Sequence, residues 1–163
     1  MAPYNACRAR LEQYLRENGV VYELEHHPLA YTARGVAASE HVPAHNIAKV
    51  VMVIADARTV MVVLPASHEL DPGRLATELD AREARLAPEV EFGPTFRDCD
   101  VGAMPPFGNL YGMAVYVDRS LTEDTNIVFQ AGTHTDTMRI PFADFVRLVE
   151  PSVIDVARER HTV

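Results

Sequence analysis

The chain has 163 residues, 48% apolar and 23% charged, which is enough for one domain with a core and too little for two ordinary ones. Its formal net charge of −8 argues against a protein that grips duplex DNA or a long RNA backbone, yet leaves room for a local pocket that holds one nucleotide. No apolar run reaches the ~18 residues of a membrane span, no secretory signal is visible, and Cys7 and Cys99 are too few for a disulfide framework. The default expectation is therefore a cytoplasmic protein with reduced thiols.

In chain order, Cys7, Leu11, Tyr14 and Leu15 recur at helical spacing, which predicts a helix over 5–18 with Gly19 as its stop. Val20, Tyr22 and Leu24 alternate, so 20–26 reads as a strand that Pro28 ends. Thr32 is an N-cap for a short helix through about His41, and Pro43 separates it from a turn at 44–47. Two β-branched runs, 48–55 and 59–64, read as a hairpin around Asp56-Ala57-Arg58. Asp71-Pro72 caps and opens a helix through about Leu79. A short helix over 81–87 and a strand over 89–92 follow, then a long irregular stretch from 93 to 112 rich in Gly, Pro and Asp. Strands are expected at 113–118, 126–131 and 136–140, a helix through Phe142, Phe145, Val146 and Val149, and a last helix over 152–159. The order predicts one α+β (α/β) domain, 1–163, with a mixed, largely antiparallel, barrel-like sheet flanked by helices.

Fourteen of the fifteen basic residues are Arg, and the single lysine, Lys49, lies in the apolar run Ile47 to Ile54. Coding bias accounts for the general scarcity of lysine, but not for an ammonium at this position. Lys49 must either snorkel to water or meet an anion, because burial without a partner is costly. The functional alternatives are a phosphate or carbonyl ligand, a base, or a Schiff-base amine. A second feature is Gly102-Ala103-Met104-Pro105-Pro106-Phe107-Gly108. Its prolines stiffen and its glycines free the backbone, so it can aim N–H groups at an oxyanion. A third is Gly132-Thr133-His134-Thr135-Asp136, where His134 could orient water or bond a substrate.

The other histidines carry less. His41 and His45 are four apart, but Pro43 interrupts any shared helix. His26 and His27 on a strand would face opposite ways. No cysteine pair has ligand spacing, so neither a metal nor a cofactor is expected. Cys99 with His134 could be imagined as nucleophile and base; the flanking Asp98 and Asp100 would raise the thiol's pKa and favour an inert thiol.

The succession His27-Pro28 with Thr32, Ile47-Ala48-Lys49, Gly102-x-x-x-Pro106-Phe107-Gly108, Gly132-Thr133-His134 and Phe142-x-x-Phe145 resembles the YbaK / prolyl-tRNA-synthetase-associated family of aminoacyl-tRNA editing domains, from about Tyr4 to Glu150. The resemblance implies a trans-editing deacylase that hydrolyses the ester of a mischarged aminoacyl-tRNA carrying a small amino acid such as Cys, Ala or Ser. It implies that Lys49 engages the terminal adenosine and its phosphate, that the loop begun by Gly102 positions the scissile ester, and that His134 stands near the aminoacyl group. Met104, Pro105, Pro106, Phe107, Gly108, Gly132 and Thr133 belong to the substrate-binding turns, with His27 and Thr32 beside them. The implied partners are the aminoacyl-tRNA 3′ end and a synthetase, with no DNA and no membrane. The alternatives are a non-catalytic module that binds a nucleotide, an RNA end or a protein, and a Cys99-dependent hydrolase.

Overall fold

The structure is a computed structural model and describes residues 5–29, 35, 37 and 43–159. The expected helix from Thr32 to His41 falls outside the described residues, save 35 and 37. Helix α1 spans Ala6–Glu17; Asn5 caps it by accepting from the Arg8 N–H, and Cys7, Leu11 and Leu15 are its buried face. Strand β1 (Glu23–His26) follows. The hairpin forms as expected: β2 (Ala48–Ala55) pairs antiparallel with β3 (Arg58–Pro65) along its whole length. Its turn is tighter than expected, because Asp56 and Ala57 take φ of 54° and 95°, the pair of positive φ values that a two-residue hairpin loop needs.

Strand β4 (His68–Leu70) leads into α2 (Pro72–Glu78), which the Asp71 carboxylate caps through the Gly73 N–H. Residues 81–87 are not helical. Asp80 turns left-handed at φ 53°, the Asp56 carboxylate accepts from the N–H groups of Arg82 and Glu83, and the chain is delivered as β5 (Ala84–Leu86) onto the open edge of β2. Residues 89–92 form a helical turn, α3 (Glu89–Phe92), in place of a strand. Pro88 and two acidic residues in the first turn favour a helix start more than the Val90/Phe92 alternation favours a strand.

The remaining elements are β6 (Val115–Asp118), β7 (Asn126–Gln130), β8 (Asp136–Pro141) and α4 (Phe142–Val149). The predicted final helix is two strands, β9 (Ser152–Ile154) and β10 (Ala157–Glu159). The cause is Asp118, a buried carboxylate that accepts from Val156 N–H and Ala157 N–H, both at 2.9 Å, and from Ser120. Burial alone would push its pKa up; these hydrogen bonds outweigh that and hold it below the usual carboxylate value. With both amides occupied by a side chain, this segment cannot close helical hydrogen bonds.

The strands form a five-stranded sheet ordered β5-β2-β3-β6-β9, a three-stranded sheet ordered β1-β8-β7, and the pair β10-β4. Among the described residues only β3/β6 and β6/β9 are parallel strand pairs, so the pairing is largely antiparallel, and the described sheets do not close into a barrel. One parallel bridge, Ile47 to Val128, links the start of β2 to β7. The main core lies between α1, α4 and the sheets, with Phe107 at its centre, its ring 5.6 Å from that of Phe129 and 5.8 Å from that of Phe145.

Candidate functional site

Two turns meet below the N-terminus of α1. The Asp100 N–H donates to Gly132 O at 2.8 Å, and the Gly132 N–H donates to Ala103 O at 2.9 Å. His134 is buried and bridges the same turns: its Nε2 lies 2.7 Å from Val101 O, and its backbone N–H reaches Asp100 Oδ2 at 3.4 Å. A carbonyl only accepts, so Nε2 carries a proton. Gly102 is exposed, has φ 83°, and a Cβ there would lie 3.6 Å from His134 Cε1. A side-chain-free stretch of backbone therefore stands open beside the imidazole.

The structure divides the long Gly-Pro loop. Val101 and Gly102 are exposed, whereas Ala103, Met104, Pro105, Pro106, Phe107 and Gly108 are all buried. Phe107 is wholly enclosed among Tyr14, Phe129 and Phe145, so it braces the loop from within the core. Gly108 is required by packing, since a Cβ would sit 2.8 Å from Val115 Cγ2.

The 132–136 turn is fixed by a carboxylate that the sequence reading did not single out. Asp136 is 2% exposed; Arg8 Nη1 and His26 Nδ1 each lie 3.0 Å from its carboxylate, and Thr133 Oγ1 donates to it at 2.5 Å. Burial pushes its pKa up, but the bonds from Thr133, His26 and Arg8 prevail and leave it below the ordinary value. The Thr133 hydroxyl also accepts from the Thr135 N–H at 3.2 Å, so Thr133 acts as a turn former. His27 is buried alongside; its N–H donates to Thr135 O at 2.8 Å, and its Nδ1 lies 2.7 Å from Pro28 O. Thr32 lies outside the described residues.

Lys49 is half-buried near the start of β2, and its ammonium donates to His68 O on β4 at 2.5 Å. The structure thus brings Gly102, His134, Gly132, Thr133 and His27 into proximity, while Lys49 stands on β2 and bonds β4 through His68 O.

Cys7 and Cys99 are joined by a disulfide, with Cα atoms 5.0 Å apart. The expectation of reduced thiols is corrected, and a Cys99 nucleophile is removed with it. Asp98 and the two sulfurs form a group of potential metal donors among the described residues, but sulfurs bonded to each other are not thiolate ligands. Gly132 packs directly on this bond: its φ is 95°, and a Cβ would lie 2.7 Å from Cys7 Sγ. Gly132→Ala is expected to destabilise the protein by roughly 1–3 kcal/mol from backbone strain alone, read as a lower urea midpoint at unchanged slope.

Paired sheets with a backbone-built turn cluster at one end define a mixed α/β domain. The chain belongs to the aminoacyl-tRNA editing domain family, whose model matches residues 27–148. It is 28% identical over 100 residues to the multifunctional Ser/Thr-tRNA deacylase ProXp-y of Escherichia coli K12, a match that spans 61% of this chain and 59% of that protein. The fold is shared with the hypothetical protein APE2540 (TM-score 0.82, 21% identity, 91% of this chain and 99% of that one). It is shared equally with a protein provisionally assigned as a trans-editing enzyme for prolyl tRNA synthetase (TM-score 0.81, 18% identity, 96% of this chain and 99% of that one). No helix among the described residues is long and apolar enough to cross a membrane.

Proposed function

We propose that the chain, as one domain over 1–163, is a trans-editing aminoacyl-tRNA deacylase of the cytoplasm. Its substrate is the ester between a small amino acid and the 3′-terminal ribose of a mischarged tRNA. The observation that carries the reading is the meeting of exposed Gly102 with the locked His134 ring, within the family-matched segment. Serine and threonine are the first amino acids to test, because the matched relative acts on them by name; cysteine and alanine complete the set.

The chemistry asks for an aligned water, an accessible carbonyl and a site for developing negative charge. In this reading Lys49 anchors the terminal nucleotide through its phosphate. The open backbone at Gly102 lets the ester approach closely, and His134 holds the 101–103 and 132–134 turns in register. Water adds to the carbonyl, the ester C–O bond breaks, and the products are a free amino acid and a ribose hydroxyl. The acidic chain suits capture of a single-stranded 3′ end more than a duplex, and a synthetase partner would supply affinity for the tRNA body.

The test is a deacylation panel of seryl-, threonyl-, alanyl- and cysteinyl-tRNA. At least one ester is expected to be cleaved well above the spontaneous rate. Saturable binding without hydrolysis of any of them would instead assign a binding module.

A further inference from the structure

The two cysteines of the chain lie directly under the junction of the Gly102 and Gly132 turns, and the proposed chemistry uses neither. We propose that Cys7 and Cys99 are a reversible thiol–disulfide clasp, exchanging with small-molecule thiols and disulfides, that sets how firmly these two turns are held together. The effect on turn order stands on geometry alone; the effect on turnover rests on the deacylase reading.

The clasp ties together three segments distant in sequence. Its cysteines are 92 residues apart, and Gly132, packed on Cys7 Sγ, is the third segment. The same segments share backbone bonds: Cys7 N–H to Asp98 O at 3.3 Å, Asp100 N–H to Gly132 O and Gly132 N–H to Ala103 O. Reduction would force the sulfurs apart to van der Waals contact. Cys7 is 1% exposed, and its sulfur fills the space where a side chain at Gly132 would stand. The displacement therefore has to be taken up by the turns that carry Gly102 and His134.

The surroundings also assign the order of exchange. Cys99 is the more exposed residue of the pair, 9% against 1%, and Cys7 lies in the first turn of α1. An external thiolate attacks Cys99, forming a mixed disulfide, and Cys7 leaves as a thiolate that the helix N-terminus favours. A second external thiolate then attacks the first external thiol's sulfur in that mixed disulfide and releases Cys99 as a thiolate. Two external thiols end as one disulfide, and the chain gains two electrons and two protons. Closure runs the same steps backwards, with a small disulfide as oxidant. Asp98 Oδ1 lies 3.6 Å from the Cys99 sulfur and its carboxylate stands within 4.8 Å of Cys7 Sγ as well, so the order of exchange rests on exposure and the helix N-terminus. Tyr111 keeps Asp98 in place, donating to it at 3.1 Å. Burial and then the Asp98 charge push the Tyr111 pKa up to about 12, so the phenol stays a donor.

The intact chain is to be treated with glutathione disulfide or with dithiothreitol, and its thiols counted by alkylation and mass. Amide hydrogen exchange is followed over 98–104 and 131–136, and hydrolysis of seryl- and threonyl-tRNA is measured in both states. No alkylatable cysteine is expected after oxidation and both after reduction, with exchange over these segments about tenfold slower in the oxidised state and hydrolysis faster. Cys99→Ala should show the same exchange under either treatment. Exchange equal in the two wild-type states, a redox response that persists in Cys99→Ala, or protection of the reduced chain restored by zinc would each overturn the clasp. The wild-type comparison decides even where the variant does not fold. Protection that follows the redox state while no tRNA is hydrolysed in either state would uphold the clasp and sink the deacylase reading.

Discussion

Lys49→Ala is expected to lower kcat/KM for aminoacyl ester hydrolysis by about a hundredfold while leaving the melting temperature nearly unchanged. A charge-assisted contact is worth roughly 1.5–3 kcal/mol, which is about ten- to a hundredfold in rate, and the upper end applies to an ammonium that is half out of water. The fold should survive, because β2 is held by backbone pairing with β3 and β5 and by buried Ala48, Met52, Val53 and Ala55, none of which depends on the lysine head. The substitution removes the bond to His68 O on β4, a carbonyl at the protein's edge that water can reach in its place. Lys49→Arg separates two roles. A charge anchor for a phosphate keeps much of its function in arginine, whereas a proton-transfer group loses nearly all of it, since guanidinium does not give up its proton. Full activity in Lys49→Ala would remove Lys49 from the site altogether.

The second large effect is expected at Asp136. Asp136→Ala removes one partner each from Arg8, a side chain only 13% exposed, from His26 and from Thr133. Breaking a buried ion pair from one side typically costs about 3–5 kcal/mol; Glu12, 3.6 Å from Arg8 Nε, takes over part of the charge, which places the expectation at the lower end. Asp136→Asn keeps the shape and isolates the charge. Because the folded-state pKa is depressed, the contribution of Asp136 is fully present above its unfolded value near 4 and is lost as pH falls through the lower folded value. Urea midpoints measured from neutral pH into the acid range should therefore fall less steeply for Asp136→Asn than for the wild type. Identical acid slopes would mean that the carboxylate charge does not hold the turn.

Local rules were enough for most elements whose own residues decide their form; 89–92 is the exception, where Pro88 and the acidic first turn outweigh the Val90/Phe92 alternation. The β2–β3 hairpin, the Asp71-Pro72 helix start and the Phe142 helix are set by periodicity and capping within a dozen residues. The readings went astray where a distant side chain decided. Asp56 turns 81–87 into an edge strand, and Asp118 turns 152–159 into two strands, by occupying backbone amides a helix would have used. Of the site, the residue types in the Gly102 and Gly132 turns were legible because glycine, proline and histidine each leave a local mark. The disulfide was not, since a pairing across 92 residues leaves no local pattern. Asp136 was quoted in its motif but looked like an ordinary turn acid; its weight comes from Arg8 and His26, which arrive from α1 and β1.

The strut between the two turns is made almost wholly of main-chain atoms: Val101 O receives the imidazole, Gly132 O and Ala103 O receive the amides. A carbonyl is offered by every residue type, so the exposed side chain at 101 can drift over generations without moving the imidazole, whereas the buried Ala103 cannot. A lineage can therefore try one bulk or polarity after another at 101 while the frame beside it is inherited unchanged.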